Sequence, residues 1–192
     1  YNSGDWTVTT TEAGTGSATE AVGSVAGGAL VLTNAAGDND LDFLQLKGEA
    51  FKLSTSKRAF FSARFKVSDV DQSDFVMGLG ITDTTPLDTT DGVFFISADG
   101  DSGLDFLVEK DNSATTTEDV ATMADDTFIT TTWFIDSNAS KVYYSINNAD
   151  PVGVAITNLP DDEELTVSFG IQNGEASAQT MTIDYVVAAV ER

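Results

Sequence analysis

The sequence predicts an all-β protein, a two-sheet antiparallel β-sandwich or jelly roll. Hydrophobic residues recur with a period of two in several long segments, turn-forming clusters separate those segments, and no stretch carries a helical period. Alternation of that kind gives each strand one apolar and one polar face, so two sheets can close on each other around a shared core.

The elements follow in order. A first strand is expected at 6–10. The small-residue segment EAGTGSATEAVGSVAGG then reads as a loop-like arm over about 11–28, after which strands are expected at Ala29–Thr33 and Leu41–Leu46. In AFFSARFKV, Phe61, Ala63, Phe65 and Val67 share one face, with Ser62, Arg64 and Lys66 on the other. DFVMGLGIT offers Phe75, Met77, Leu79 and Ile81, leaving Gly78 and Gly80 together on the opposite face. Two strand glycines on one face fit either the floor of a shallow groove or the close approach of a neighbouring segment. Strands follow at Gly92–Ser97 and Gly103–Lys110, then a hairpin, WFIDSNASKVYYSIN, in strands 127–136 and 141–147, and a strand at 152–157. ELTVSFGIQ presents Leu165, Val167, Phe169 and Ile171; MTIDYVVAA presents Met181, Ile183, Tyr185 and Val187. The linking stretches NAAGDND, SDVDQSD, SADGDSG and NLPDDEE are rich in turn residues. No linker or repeat divides the 192 residues, so one domain over 1–192 is expected. The chain opens at Tyr1 rather than Met, so further sequence is expected ahead of it.

Composition narrows the chemistry. There is no Cys, hence no disulfide or thiolate metal site, and no His, the commonest general base and transition-metal ligand. Acids outnumber bases 31 to 9, for a formal net charge of −22. That field repels nucleic-acid backbones and anionic membranes, and no apolar run reaches the ~20 residues that span a bilayer.

The N-terminal Trp, GGALVLTN, AFFSARFKVSD, FVMGLGITD, the hairpin and the closing MTIDYVVAAVER follow one another in an order that resembles the concanavalin A-like (laminin-G-like) jelly roll. The chain is especially similar to versions of this module in structural proteins of tailed bacteriophages. The resemblance implies a non-enzymatic virion protein: a capsid decoration or cement subunit on the capsid exterior, docked on the major capsid protein or on sister subunits, and a homo-oligomer. The alternative is a carbohydrate-binding module or an adhesin or fibre domain, secreted or extracellular. Glycoside hydrolases of the same fold carry acids in a Glu-x-Asp-x-x-Glu strand. Neither LDFLVEK nor EDVATMADD matches it, so no catalytic residue is expected and the protein is expected not to be an enzyme.

Two features remain. Residues 47–66 hold Lys47, Lys52, Lys57, Arg58, Arg64 and Lys66, six of the nine cations. The strand period throws Arg64 and Lys66 outward, beside Lys57, Arg58 and the outward Phe60. These five form the expected partner-binding patch, unless the cations pair with the protein's own acids. In ADGDSGLD, Asp99, Asp101 and Asp105 are candidate ligands for calcium, although Lys110 stands where an EF-hand needs its bidentate Glu. No other cofactor is expected. Tyr143 lies opposite the Val142, Tyr144 and Ile146 face and is expected to be exposed to a sugar.

Overall fold

In a computed structural model, which describes residues 1–24, 27–136 and 140–192, the chain is all-β, with two antiparallel sheets and two short 3-10 turns, Ser3–Asp5 and Pro86–Asp88. The strands are β1 (Trp6–Thr11), β2 (Thr19–Gly23), β3 (Ala29–Thr33), β4 (Leu41–Leu46), β5 (Ala59–Val67), β6 (Ser73–Gly80), β7 (Gly92–Ser97), β8 (Gly103–Lys110), β9 (Ser113–Thr122), β10 (Ile129–Ile135), β11 (Lys141–Ile146), β12 (Val152–Ala155), β13 (Thr166–Asn173) and β14 (Thr180–Val190). Sheet A has the order β1-β4-β13-β6-β7-β8-β9, and sheet B the order β12-β11-β10-β5-β14-β3-β2. The tip of the β10–β11 hairpin, 137–139, lies outside the described residues, but its strands pair as expected, Phe134 opposite Tyr143.

The sheets meet through the faces that alternation assigns. Phe61, Phe65 and Trp133 from sheet B are fully buried with Phe75, Phe95 and Phe106 from sheet A. Phe65 meets Phe75 edge-on at 5.5 Å, and Phe106 meets Tyr144 at 5.2 Å, so aromatic pairs bridge the sheets at two places. Each fully buried aromatic or aliphatic side chain contributes ~1.5–3 kcal/mol by leaving water. At one end, Asn34 donates from Nδ2 to the carbonyls of Asp40 and Ile171 and to Asn173 Oδ1, while Asn173 donates to the carbonyls of Ala35 and Gly37. This network fastens the β3–β4 loop to β13.

Three expectations are corrected. The arm over 11–28 is not a loop, because it contains the end of β1 and, at Thr19–Gly23, β2, which pairs with β3 along its length. Val25 and Ala26 lie outside the described residues. The second unexpected strand, β9, pairs with β8. Both are edge strands, which need only one neighbour and no continuous apolar face, so neither carries the alternation that marks the others. The third correction is in β14. Its register shifts between Ile183 and Tyr185, a bulge at Asp184. Met181 and Ile183 face the core, but beyond the bulge Val186, Ala188 and Val190 take over, and Tyr185 and Val187 face outward.

The glycines of β6 are resolved in favour of close packing. On the outer face of sheet A, Phe94 and Phe43 are buried with Leu41 and Val76 in a second apolar layer, flanked by Leu87, Ile96 and Leu107. A Cβ on Gly80 or Gly92 would collide with the ring of Phe94, and one on Gly170 with the ring of Phe43. The glycines therefore exist to seat those rings. Gly80→Ala should lose about 1–3 kcal/mol of stability in a urea unfolding curve. The penalty should fall below about 0.5 kcal/mol when the same change is made in Phe94→Ala, because the colliding ring is gone.

Candidate functional site

The outer face of sheet B carries an aromatic row. Tyr143 of β11, Phe134 of β10 and Phe60 of β5 occupy consecutive register positions across three adjacent strands, and Ala189 of β14 follows Phe60. Strands lie ~4.8 Å apart, so the three positions span about 10 Å. Tyr143 is half-buried rather than freely exposed, because its ring stacks on Phe134 at 5.2 Å with the planes inclined by 14°. One face of Phe134 is thus covered. Beside it a cavity of about 480 Å³ opens, lined by Phe134, Phe60, Ile135, Ala189 and Val190, with Arg58, Asp136 and Glu191 also at its wall. Phe60 is 39% exposed there. The small side chain of Ala189 beside Phe60 leaves a slot that the sheet itself does not fill.

The structure places the expected patch of Lys57, Arg58, Phe60, Arg64 and Lys66 on and around this face, and it gives three of the cations carboxylate partners. Arg58 Nε lies 3.4 Å from Asp136, and the Arg58 backbone N–H donates to Glu191. Arg64 donates to Asp184 at 2.6 Å, with its guanidinium 4.1 Å above the Phe128 ring. Lys66 donates to Asp126 at 2.6 Å and lies 5.7 Å from the same ring. Exposed ion pairs contribute ~0–1 kcal/mol each, so these pairs orient side chains more than they stabilise the fold. Lys57 is exposed and its side chain has no partner among the described residues. Further along, Lys47 donates to the carbonyl of Gly4 and Lys52 to that of Asp162.

The calcium candidates do not converge. Asp101 accepts from the Gly103 N–H at 2.7 Å and Asp105 from the Asp119 N–H at 2.8 Å, while the Asp99 N–H donates to Asp74. The Asp101 carboxylate holds its turn and the Asp105 carboxylate the bulged β8–β9 pairing. Among the described residues no three acidic side chains gather as a metal ion would need.

Two acid clusters escaped the sequence. On the outer face of sheet A, burial raises the Glu109 carboxyl above the usual carboxylate range, and the nearby Asp91 and Asp88 add to the rise. Asp91 is itself fixed, accepting from the Asp111 N–H and from Thr90 Oγ1. Inside the sandwich, at the β1/β2 edge, Asp42 is fully buried and neither carboxylate oxygen meets a donor. It faces Glu20, opposite Leu32 on the inner face of β2. Burial first, then Glu20, raises Asp42 from 3.8 to about 7. Two carboxyls in such contact are bonded only when one carries the proton.

No protein-family model matches the chain, and no curated protein matches it. Solved structures share its fold at low identity. An endo-1,3-beta-glucanase from Streptomyces sioyaensis is similar with a TM-score of 0.69 and 12% identity, covering 99% of this chain and 90% of that one. A glycoside hydrolase family 16 endo-glucanase from Bacteroides ovatus gives 0.67 and 13%, covering 98% and 96%. A family 7 alginate lyase, A1-II', gives 0.65 and 11%, covering 97% and 93%. The chain therefore shares with these proteins the fold of a concanavalin A-like jelly-roll β-sandwich. None of these three is a virion protein. The expectation that the chain is not an enzyme is corrected by the same finding, since its neighbours are polysaccharide lyases and glycoside hydrolases.

The buried acid pair has a sign that can be checked. Between about pH 4 and 7 the folded state keeps a proton on Asp42 that the unfolded chain releases, so stability falls as pH rises, by at most about 1.4 kcal/mol per unit. Above the raised value the contribution is lost. Asp42→Asn, which supplies a permanent donor towards Glu20, should flatten this slope and gain about 1–3 kcal/mol above about pH 8, read by thermal melts across pH.

Proposed function

We propose that the protein binds a polysaccharide on the outer face of sheet B, with a sugar ring held in the slot between Phe60 and Phe134. The observation that carries the reading is the slot itself: about 480 Å³, walled by two aromatic side chains on neighbouring strands and backed by a third, Tyr143. Sugar rings have apolar C–H faces that pack on aromatic side chains, and hydroxyl edges that hydrogen-bond to charged rims such as Arg58, Asp136 and Glu191. The carbohydrate-active neighbours support the same direction. Docking on a capsid partner through the same residues is less well supported, because Arg58, Arg64 and Lys66 already face the protein's own carboxylates. Phe134→Ala and Phe60→Ala should each weaken binding to a polysaccharide found by glycan array by about tenfold, ~1.4 kcal/mol, in isothermal titration. Binding unchanged in both variants would overturn the assignment.

A second reading, depolymerisation, is favoured by Glu109. A carboxyl that burial and neighbouring carboxylates raise above the usual range is shifted towards what a general acid needs in glycoside chemistry. If the protein cleaves a polysaccharide, release of new chain ends should fall at least 10²-fold, roughly the lower bound for loss of a general acid, in Glu109→Gln with the melting temperature unchanged. Activity retained in that variant would remove Glu109 from the chemistry.

A further inference from the structure

Strand β14 is paired along both sides for only part of its length. Against β5 the register runs from Met181 to Val190; against β3 it runs from Thr180 to Ile183 and stops. The β2–β3 hairpin reverses between Gly23 and Ala29, and the pairing of β14 with it ends at Ile183, where the bulge at Asp184 begins. Among the described residues, no strand lies beside the second edge of β14 from Asp184 to Val190. In an antiparallel ladder alternate residues aim both backbone groups at the same side, so about three N–H and C=O pairs point into this gap. Among the described residues no loop backbone hydrogen bond reaches it; the Glu191 N–H, just beyond, bonds to the Arg58 carbonyl on the β5 side.

The side chains record the same opening. Val186, Ala188 and Val190 face the core yet are only half-buried, unlike Phe61 and Ala63 beside them on β5. Tyr185 and Val187 on the outer face are 38% and 49% exposed. A cavity of about 360 Å³ begins where the strands part, reaching Trp6 and Phe169 of sheet A from Tyr185 and Val186. Three of the four terminal strands are guarded, β9 by Glu118 and Asp119, β2 by Glu20 and β12 by its length of four residues, while β1, WTVTTT, carries no charge. The stretch Tyr185–Val190, Y-V-V-A-A-V, has no charge, proline or glycine.

The geometry points to this edge as the interface between two copies of the chain, which add β14 to β14 in antiparallel fashion across a two-fold axis. An isologous contact sets an uncharged, β-branched strand against itself and leaves no unlike surface to match. Charge selects the same occupant and place. Two copies at −22 repel over most of their surfaces, but β5, immediately behind this edge, and the turn before it carry Lys57, Arg58, Arg64 and Lys66, four of the nine cations. With Asp136, Asp184 and Asp126 paired to three of them, the surface beside the edge is close to charge balance, which lowers the repulsion between copies there.

Native mass spectrometry and sedimentation at micromolar and higher concentrations should report a dimer, and hydrogen exchange should show amides of 184–190 gaining protection as concentration rises. Val187→Lys, at an exposed position that folding tolerates, should raise the dimer dissociation constant by about tenfold or more. A monomer throughout would overturn the proposal, and would leave the edge to an unrelated strand. So would a dimer whose 184–190 amides exchange as in the monomer, or a Val187→Lys dimer as tight as the wild type.

Discussion

The antiparallel pairing of β5 with β14 holds the middle of sheet B together, from Ala59 opposite Val190 to Val67 opposite Met181, with one irregularity at Asp184. That extra residue exchanges the two faces of β14. Asp184 stays outward, where Arg64 on the opposing strand meets it, while the shift brings Val186, Ala188 and Val190 inward to complete the core behind Phe61. Bulges also sharpen local twist. The strand leaves β3 at the same residue, so the inward triplet and the unpaired edge begin together. Without the bulge, Tyr185 and Val187 would enter the core and Val186 would replace them outside.

The two outer faces have opposite solutions to the same problem. Sheet A covers its own: glycines at 78, 80, 92 and 170 lower the floor, Phe94 and Phe43 lie down on it, and Leu87 from the 3-10 turn at Pro86–Asp88 closes the layer. Space that a ligand would use is filled by the chain. Sheet B keeps larger residues on the surface instead. Where β14 supplies only Ala189 beside Phe60, a slot remains. Small residues thus have contrary effects on the two sheets, because on sheet A a phenyl ring from the neighbouring strand lies over them and at this point on sheet B none does.

The sandwich was legible because its buried strands must alternate, and AFFSARFKV, DFVMGLGIT and ELTVSFGIQ do so with the same residues inward that the structure buries. What was not legible shares a physical reason: it depends on neighbours distant in sequence. Edge strands β2 and β9 are strands only because β3 and β8 lie beside them. In LDFLQL the inward residues are Asp42 and Leu44, not Leu41 and Phe43, a choice invisible when both faces of a strand are covered. The basic stretch was readable as an outer stripe. Its acids were not, since Asp126, Asp136 and Asp184 reach it across 60 to 120 residues of chain and are exposed side chains among many. The slot was half legible, with Phe60 and Tyr143 marked as outward, while Phe134, which joins them, read only as one residue of a hairpin.

Absence of His and Cys argued against catalysis more strongly than the physics allows. Both residues matter where a base near neutral pH or a thiolate is required, but glycosidic bonds yield to carboxyl groups alone, provided one is held protonated and another ionised at a suitable distance. A chain with 31 acids does not lack the reagents. What it must supply is a difference between them, and burial supplies it here twice: Glu109 is raised beside a hydrogen-bonded Asp91, and Asp42 beside Glu20. In the second pair Asp42 is fully buried between the sheets, so the pair serves the pH response of the fold. In the first, Asp91 is buried but Glu109 is half-buried on an outer face, and of the two raised carboxyls it alone has access from solvent.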